Sequence, residues 1–482
     1  MLFNSFAFAL FLPAVFILYW FVANRNLQVQ NSLLLVASYF FYACWDWRFM
    51  FLLMFSTLLD YYTGIKMQEA KTPFLKKWWF LLSVIVNLGF LGIFKYYNFF
   101  AESFCELLMA LGYNTIDVHT ATIANIILPV GISFYTFHGL SYVIDIYKSR
   151  ISAERNFVDY AVFVSFFPLL VAGPIERATH LLPQIKQKRT FNYENSVNGL
   201  RQILWGLFKK IVIADNCAEY ANLIFSNPAG YSGSELFLGA LFFTFQIYGD
   251  FSGYSDIAIG TGRLFGISLL RNFAFPYFAR DIAEFWRRWH ISLTTWFRDY
   301  VYIPLGGSRC GKMRQVGNTF IIFLLSGFWH GANWTFIAWG ALHATFFLPL
   351  MLSNKNRKNM DIVARGKLLP TISEFGRMGI TFVLVVFAWI FFRANTLSEA
   401  LVYLSGIFSQ SFFTVPGIMP VSLFVLITLF MTVEWLGRER QFALESLGAD
   451  WNRAARWCVY FAFILLIAIF RGQSQEFIYF QF

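Results

Sequence analysis

A chain of 482 residues that is 58% hydrophobic and only 13% charged cannot dress an ordinary water-facing surface, for which roughly 25% charged residues is usual. Its 61 Phe, 23 Tyr and 16 Trp leave apolar area that only lipid can cover, and Trp and Tyr gather at both bilayer interfaces. The net charge of +11 does not argue for nucleic acid, because the Lys and Arg residues stand in short clusters between apolar runs, as in cytoplasmic loops.

A bilayer core of about 30 Å needs roughly 20 apolar residues per helix. The first run, 2–22, has no basic start and no convincing cleavage site, so it reads as a retained helix and not a signal peptide. Further spans are expected over 31–46, 49–65, 78–99, 122–147, 197–225, 235–262, 316–331, 334–351, 378–393, 421–436 and 457–471. Two apolar stretches flanked by basic residues, 157–173 and 283–305, read as re-entrant or interfacial segments. The expected fold is therefore all-α and polytopic, with about 11–13 transmembrane or re-entrant helices. No repeat and no long polar linker divides it, so one domain is expected over 1–482. Its parts are N-terminal helices 1–147, a core at 157–351, C-terminal helices 378–471 and an aromatic tail at 472–482.

Segments 66–77, 148–155, 177–189, 263–314, 353–377 and 438–456 are rich in Lys and Arg, whereas 100–121, 226–234 and 394–420 hold few or none. Walking helix by helix puts the basic loops on one face and both termini outside the cytoplasm. Cys44, Cys105, Cys217, Cys310 and Cys458 have no paired spacing, so neither a disulfide framework nor a metal site is expected.

Ionisable groups inside apolar segments are costly and mark candidate sites. In the span 235–262, Asp250 and Asp256 stand six residues apart around Ser252, Tyr254 and Ser255. Gly249 and Gly253 would let a neighbouring helix come close, and a hydrogen-bonded packing hub is the plainer reading. His330 follows an apolar run too short to span, and Gly331 and Asn333 then break the helix. Broken backbone at membrane depth must line a protein-walled or watery cavity, where a neutral imidazole can take a proton from a hydroxyl. A hydrogen-bonded core histidine reads the same residues equally well. His290 closes Glu284-Phe-Trp-Arg-Arg-Trp-His290; there Trp286, Trp289 and Trp296 suit an interfacial helix, while Arg287, Arg288 and Arg298 are candidates to hold donor phosphates. His343 reads as packing, His119 as solvated, and His180 follows a Gly-Pro break. Nucleophile elbows, phosphate loops and clustered ligands are missing from the sequence.

Four stretches in fixed order carry a resemblance: Asp250-Phe-Ser-Gly-Tyr-Ser-Asp256, Glu284 to Leu293, Tyr302-Ile-Pro-Leu-Gly-Gly307, and Phe328-Trp-His-Gly-Ala-Asn-Trp334. With Leu128 to Tyr135, Phe166-Phe-Pro168, Ala172-Gly-Pro-Ile175 and Trp389 to Ala394, the chain resembles the membrane-bound O-acyltransferase family over most of its length. It is most similar to the branch that O-acetylates alginate and peptidoglycan. The resemblance implies a helical funnel, a catalytic histidine at His330, a second functional histidine at His290, and pocket support from Asp250, Tyr254, Asp256, Trp286, Trp329 and Asn333. It also implies acetyl-CoA or another acyl thioester as donor substrate with no resident cofactor, a polysaccharide acceptor, and an esterase-like (SGNH) partner outside the cell membrane. The ending Phe477-Ile-Tyr479-Phe-Gln-Phe482 reads plainly as an interfacial aromatic anchor. It is also similar to tails whose tyrosine takes up the acyl group, which makes Tyr479 a candidate acyl carrier. The alternatives are D-alanyl transfer to a wall polymer, a transporter using Asp250, Asp256 and His330 as a relay, and a non-catalytic scaffold.

Overall fold

A computed structural model describes residues 1–113, 122–123, 127–171, 173–448, 450–473 and 475–480. His119 lies outside the described residues, as do Ala172 and the last two positions of the tail. The described residues are helical, with no strand among them. They pack as two compact units, 1–191 with 265–269, and 192–264 with 270–482.

In the first unit the long helices are Phe6–Ile17 continuing through a wide turn to Arg25, Leu27–Ala43, Trp47–Glu69, Pro73–Leu91 continuing to Ala110, and Ile132–Tyr147. Their outer faces carry exposed Phe, Leu, Ile and Trp, as a lipid-facing surface requires. Inside, polar knots replace water. Asp60 accepts from Ser83 Oγ at 2.6 Å and Asn87 Nδ2 at 2.7 Å, and Asn31 Nδ2 donates to Asp159 at 2.7 Å. A buried carboxyl group without such donors would cost several kcal/mol. The segment 157–173, expected to be re-entrant, forms two short helices, Phe157–Ser165 and Phe167–Leu170, buried within the protein. Gly131 explains its place in the motif that precedes Tyr135. Its φ is +75°, and a Cβ there would stand 2.1 Å from the Leu170 carbonyl oxygen, so no side chain fits.

The second unit is built around the 32-residue helix Gly233–Leu264. Tyr193–Leu207 packs on it through small residues facing one another. A Cβ on Gly206 would meet the Gly253 carbonyl oxygen at 2.6 Å, and one on Gly253 would meet that of Gly206 at 2.8 Å. Gly199 and Gly260 repeat the arrangement at 2.6 and 2.5 Å. Backbones this close gain dispersion contact where lipid offers no hydrophobic drive. Gly253→Leu is accordingly expected to push the two helices apart at a cost of about 3 kcal/mol or more, read as a melting midpoint in detergent lower by about 5 °C or more. An unchanged midpoint would show that the contact is dispensable.

Several expectations change. Among the described residues, four helical runs, 6–25, 73–110, 334–352 and 372–393, are long and apolar enough to cross a bilayer on those grounds alone. The 32-residue helix Gly233–Leu264 carries buried charges that pair within the protein. The region 100–121, expected as a bare loop, is helix as far as Ala110, and 394–420 contains the helix Leu397–Ile407. The stretch 283–305 is not an interfacial anchor. Trp286, Trp289 and Trp296 are all buried among protein side chains, because their short helices, Ile282–Arg288 and Ile291–Phe297, sit inside the unit.

Candidate active site

The helix Lys312–His330 stops at the imidazole itself. Gly331 is extended, at φ −161°, and the next helix, Trp334–Leu352, starts on Asn333, whose side chain accepts from Thr335 N at 3.0 Å. The other end of the same amide donates to the Asn395 carbonyl at 2.8 Å. Asn333 therefore fixes the break by capping, an effect worth about 1 kcal/mol. Gly327 and Gly340 let the two helices cross closely, since a Cβ at either would strike backbone at 2.2 or 2.3 Å. His330 is thereby held buried, at 3% exposure. It lies among Trp329, Trp339 and Phe392, with ring centroids at 5.0, 5.2 and 5.2 Å.

His290 comes to the same place by a strained route. It sits between two short helices at φ +43° and ψ 54°, a left-handed conformation costing about 1–3 kcal/mol for a non-glycine residue. Two backbone hydrogen bonds impose it, Ala274 N to Arg288 O and Ile291 N to Asn272 O, each 2.9 Å. Its Nδ1 lies 2.9 Å from Asn272 Oδ1, which also accepts from Ser292 Oγ at 2.9 Å. That oxygen is an acceptor, so Nδ1 carries the proton and Nε2 keeps its lone pair. Nε2 is buried and has no hydrogen-bond partner among the described residues. The His290 and His330 rings are 6.4 Å apart.

The tail completes the site. It folds back so that the Tyr479 ring lies 5.6 Å from His330, 4.5 Å from Phe251 and 6.4 Å from Trp329, centroid to centroid. Phe477, fully buried, packs on Tyr254 at 4.5 Å.

The two aspartates of the long helix are held by lysines that sequence reasoning passed over. Lys209 Nζ pairs with Asp256 at 2.5 Å, and Gln202 donates to the same carboxylate at 2.8 Å. Lys210 Nζ pairs with Asp250 at 2.8 Å and with Asp215 at 2.7 Å. Both lysines lie in the wide-turned stretch Phe208–Ala214, between Tyr193–Leu207 and Asp215–Ser226. The signal was present: two lysines in mid-span followed by Asp215 are as costly in lipid as the aspartates. Glu434 is a further buried acid, accepting from Trp205 Nε1 at 3.1 Å and Tyr248 Oη at 2.5 Å.

The arginines separate. A cavity of about 620 Å³, within the range of small-molecule sites, is lined by Trp286, Arg287, Arg298, Tyr302, Phe323 and Met351 among others. Arg287 spends its two terminal nitrogens on the carbonyls of Asn356 and Asn359, at 2.8 Å each. Arg298 is exposed and, among the described residues, pairs with its neighbour Asp299 at 2.7 Å. Arg288 lies outside that cavity and is bound to Glu284 at 2.6 Å. Arg357 also lines the cavity. Trp286, whose indole N–H donates to His343 Nδ1 at 3.2 Å, forms one wall. Its ring touches Trp339 at 5.6 Å, and Trp339 touches His330. Among the described residues no group of three or more His, Cys, Asp or Glu gathers as a metal site would.

A buried imidazole beside a phenol at a helix break, with a second imidazole that keeps a free lone pair 6.4 Å away, suits acyl or proton transfer to a hydroxyl. The sequence profile of the membrane-bound O-acyltransferase family matches residues 147–375, which hold both histidines. The probable alginate O-acetylase AlgI of Pseudomonas putida is 37% identical over 99% of each chain. The chain belongs to the membrane-bound O-acyltransferase family. The peptidoglycan O-acetyltransferase of Helicobacter pylori is 38% identical over 84% of this chain and 79% of its own. The teichoic acid D-alanyltransferase of Streptococcus thermophilus is 28% identical over 59% and 70%. As a member of this family the protein is a polytopic membrane O-acyltransferase. Tyr479 lies beyond the stretch the family profile matches.

Proposed function

We propose that the protein moves an acetyl group from a cytoplasmic acyl thioester, acetyl-CoA in the first instance, through the cell membrane for O-acetylation of a cell-surface polysaccharide of alginate or peptidoglycan type. The observation that carries the reading is the Tyr479 ring packed 5.6 Å from His330 within a buried site that also holds His290. His330 takes the proton of the Tyr479 hydroxyl as the phenol oxygen attacks the thioester carbonyl. A C–O bond forms, the C–S bond breaks, and the imidazolium returns the proton to the leaving thiolate. The product is an aryl ester. A phenol, with a pKa about 10, leaves more readily than an alkyl alcohol, so the ester keeps transfer potential for a second step. In that step an acceptor hydroxyl, on the polymer or on an esterase-like partner outside the membrane, attacks the ester and releases the phenol. The rings of Trp329, Trp339 and Phe392 shield His330 from water while the ester forms.

The 620 Å³ cavity supports entry of the donor from the basic side, with Arg298 and Arg357 as its less committed cations and Arg287 already engaged with carbonyls. The basic loops then face the cytoplasm and both termini lie outside it. Acetyl is favoured over D-alanyl because the acetylating relatives are more similar and align over more of this chain. The test is incubation of purified protein with isotopically labelled acetyl-CoA, followed by mass analysis of the C-terminal peptide. An added acetyl group on Tyr479, with release of free CoA, is the expected result. Solute uptake with no labelling would replace this reading by the transporter.

A further inference from the structure

We infer that Lys210, bridging Asp215 and Asp250, is a clasp that seats the C-terminal segment, and that this clasp positions Tyr479 at His330. The inference rests on the reading of Tyr479 as the acyl-accepting group. The contacts run from the ion cluster to the backbone of the tail. Lys210 Nζ donates to the Gln475 carbonyl at 3.1 Å, and Asp250 Oδ2 accepts from Ile478 N at 2.7 Å. Upstream, Asn216 Nδ2 donates to the Phe470 carbonyl at 3.0 Å, where the last helix, Arg453–Ile469, ends. Ile478 and Phe477 are fully buried. Three polar side chains of one helical stretch and its partner thus hold the main chain at Phe470, Gln475 and Ile478, and Tyr479 follows directly on the last of these.

The chemistry favours a clasp over a plain structural pair. Lys210 and both carboxylates are almost wholly buried, and a buried ammonium between two carboxylates is costly unless its remaining donors and acceptors are satisfied. Here the tail supplies two of the satisfying groups, a carbonyl for Lys210 and an N–H for Asp250. The cluster and the tail therefore complete one another: a loosened tail leaves the charges short of partners. The buried side chains of Phe477 and Ile478 add packing to these backbone contacts, and Phe477 lies on Tyr254.

The test uses the full chain in detergent or nanodiscs and reads two things, deuterium exchange of the peptide covering 471–482 and acetyl transfer from acetyl-CoA. Ile478→Pro removes the one N–H that Asp250 accepts, and Ile478→Ala removes side-chain surface but keeps that N–H. The proline variant is expected to exchange its tail at least tenfold faster than the alanine variant. Its kcat should fall tenfold or more, with the KM for acetyl-CoA within twofold. Lys210→Met should reproduce this loss and Lys210→Arg recover part of it. If Lys210→Met disorders the surrounding helices, visible as faster exchange in 193–226, the comparison at Ile478 decides alone. A tail equally protected in the Pro and Ala variants overturns the clasp. A tail released in Ile478→Pro with transfer at the wild-type rate keeps the clasp and instead removes Tyr479 from the acyl path.

Discussion

His330→Ala, in protein that still inserts and elutes as a single species, is expected to lower acetyl transfer by about 10³-fold, within the 10²–10⁴ that a positioned base contributes. The substitution removes the imidazole that sits at the end of Lys312–His330 and faces Tyr479. It also opens a void beside Trp339 and Phe392, and truncating a buried ring to Ala costs about 3–5 kcal/mol. His330→Gln, closer in volume and able to hydrogen-bond but unable to serve as a base near neutral pH, separates the two effects. Both variants should lose transfer, and only the alanine should lose substantial thermal stability. Wild-type turnover in either folded variant would remove the general-base assignment.

Tyr479→Phe is the second decisive substitution. It deletes one hydroxyl and keeps the ring that packs 4.5 Å from Phe251 and 5.6 Å from His330, so the tail should remain seated and the fold unchanged. With no phenol oxygen to acylate, the labelled C-terminal peptide should disappear and polymer acetylation should fall by more than about 100-fold, the lower bound expected when a covalent route is closed. Polymer acetylation that persists with no peptide label would show that His330 activates the final acceptor directly. The two substitutions also differ in their pattern: His330→Ala should leave an intact hydroxyl that never acquires label, while Tyr479→Phe should leave an intact base with nothing to deprotonate.

Much of the site could be read from residue order. His330 stood out because an apolar run ended too soon in Gly331 and Asn333, and the helix does end on that imidazole. The glycines at 249 and 253 announced a close helix, and Gly253 meets the backbone of Gly206. The partner lysines are harder to see, since Lys209 and Lys210 lie inside the apolar span 197–225 and their counter-charges come from Asp215, Asp250 and Asp256. The arginines of the Trp286–Trp296 stretch show the opposite limit. Their residue type suggested phosphate for all three, yet Arg288 is consumed by Glu284 and Arg287 by two carbonyls.

By itself the sequence determined the solvent of this protein and the places where its backbone breaks, because those follow from local quantities: the share of charge, the length of an apolar run, a glycine or asparagine at its end. It also supplied the residue types for acyl transfer. Only the tertiary structure decided that Tyr479 returns to His330, that His290 keeps an unshared Nε2, and that Asp250 faces Lys210. Each of these joins residues tens to hundreds of positions apart, and such pairings depend on how helices pack and which buried charge finds which partner, a balance that no local window of sequence contains.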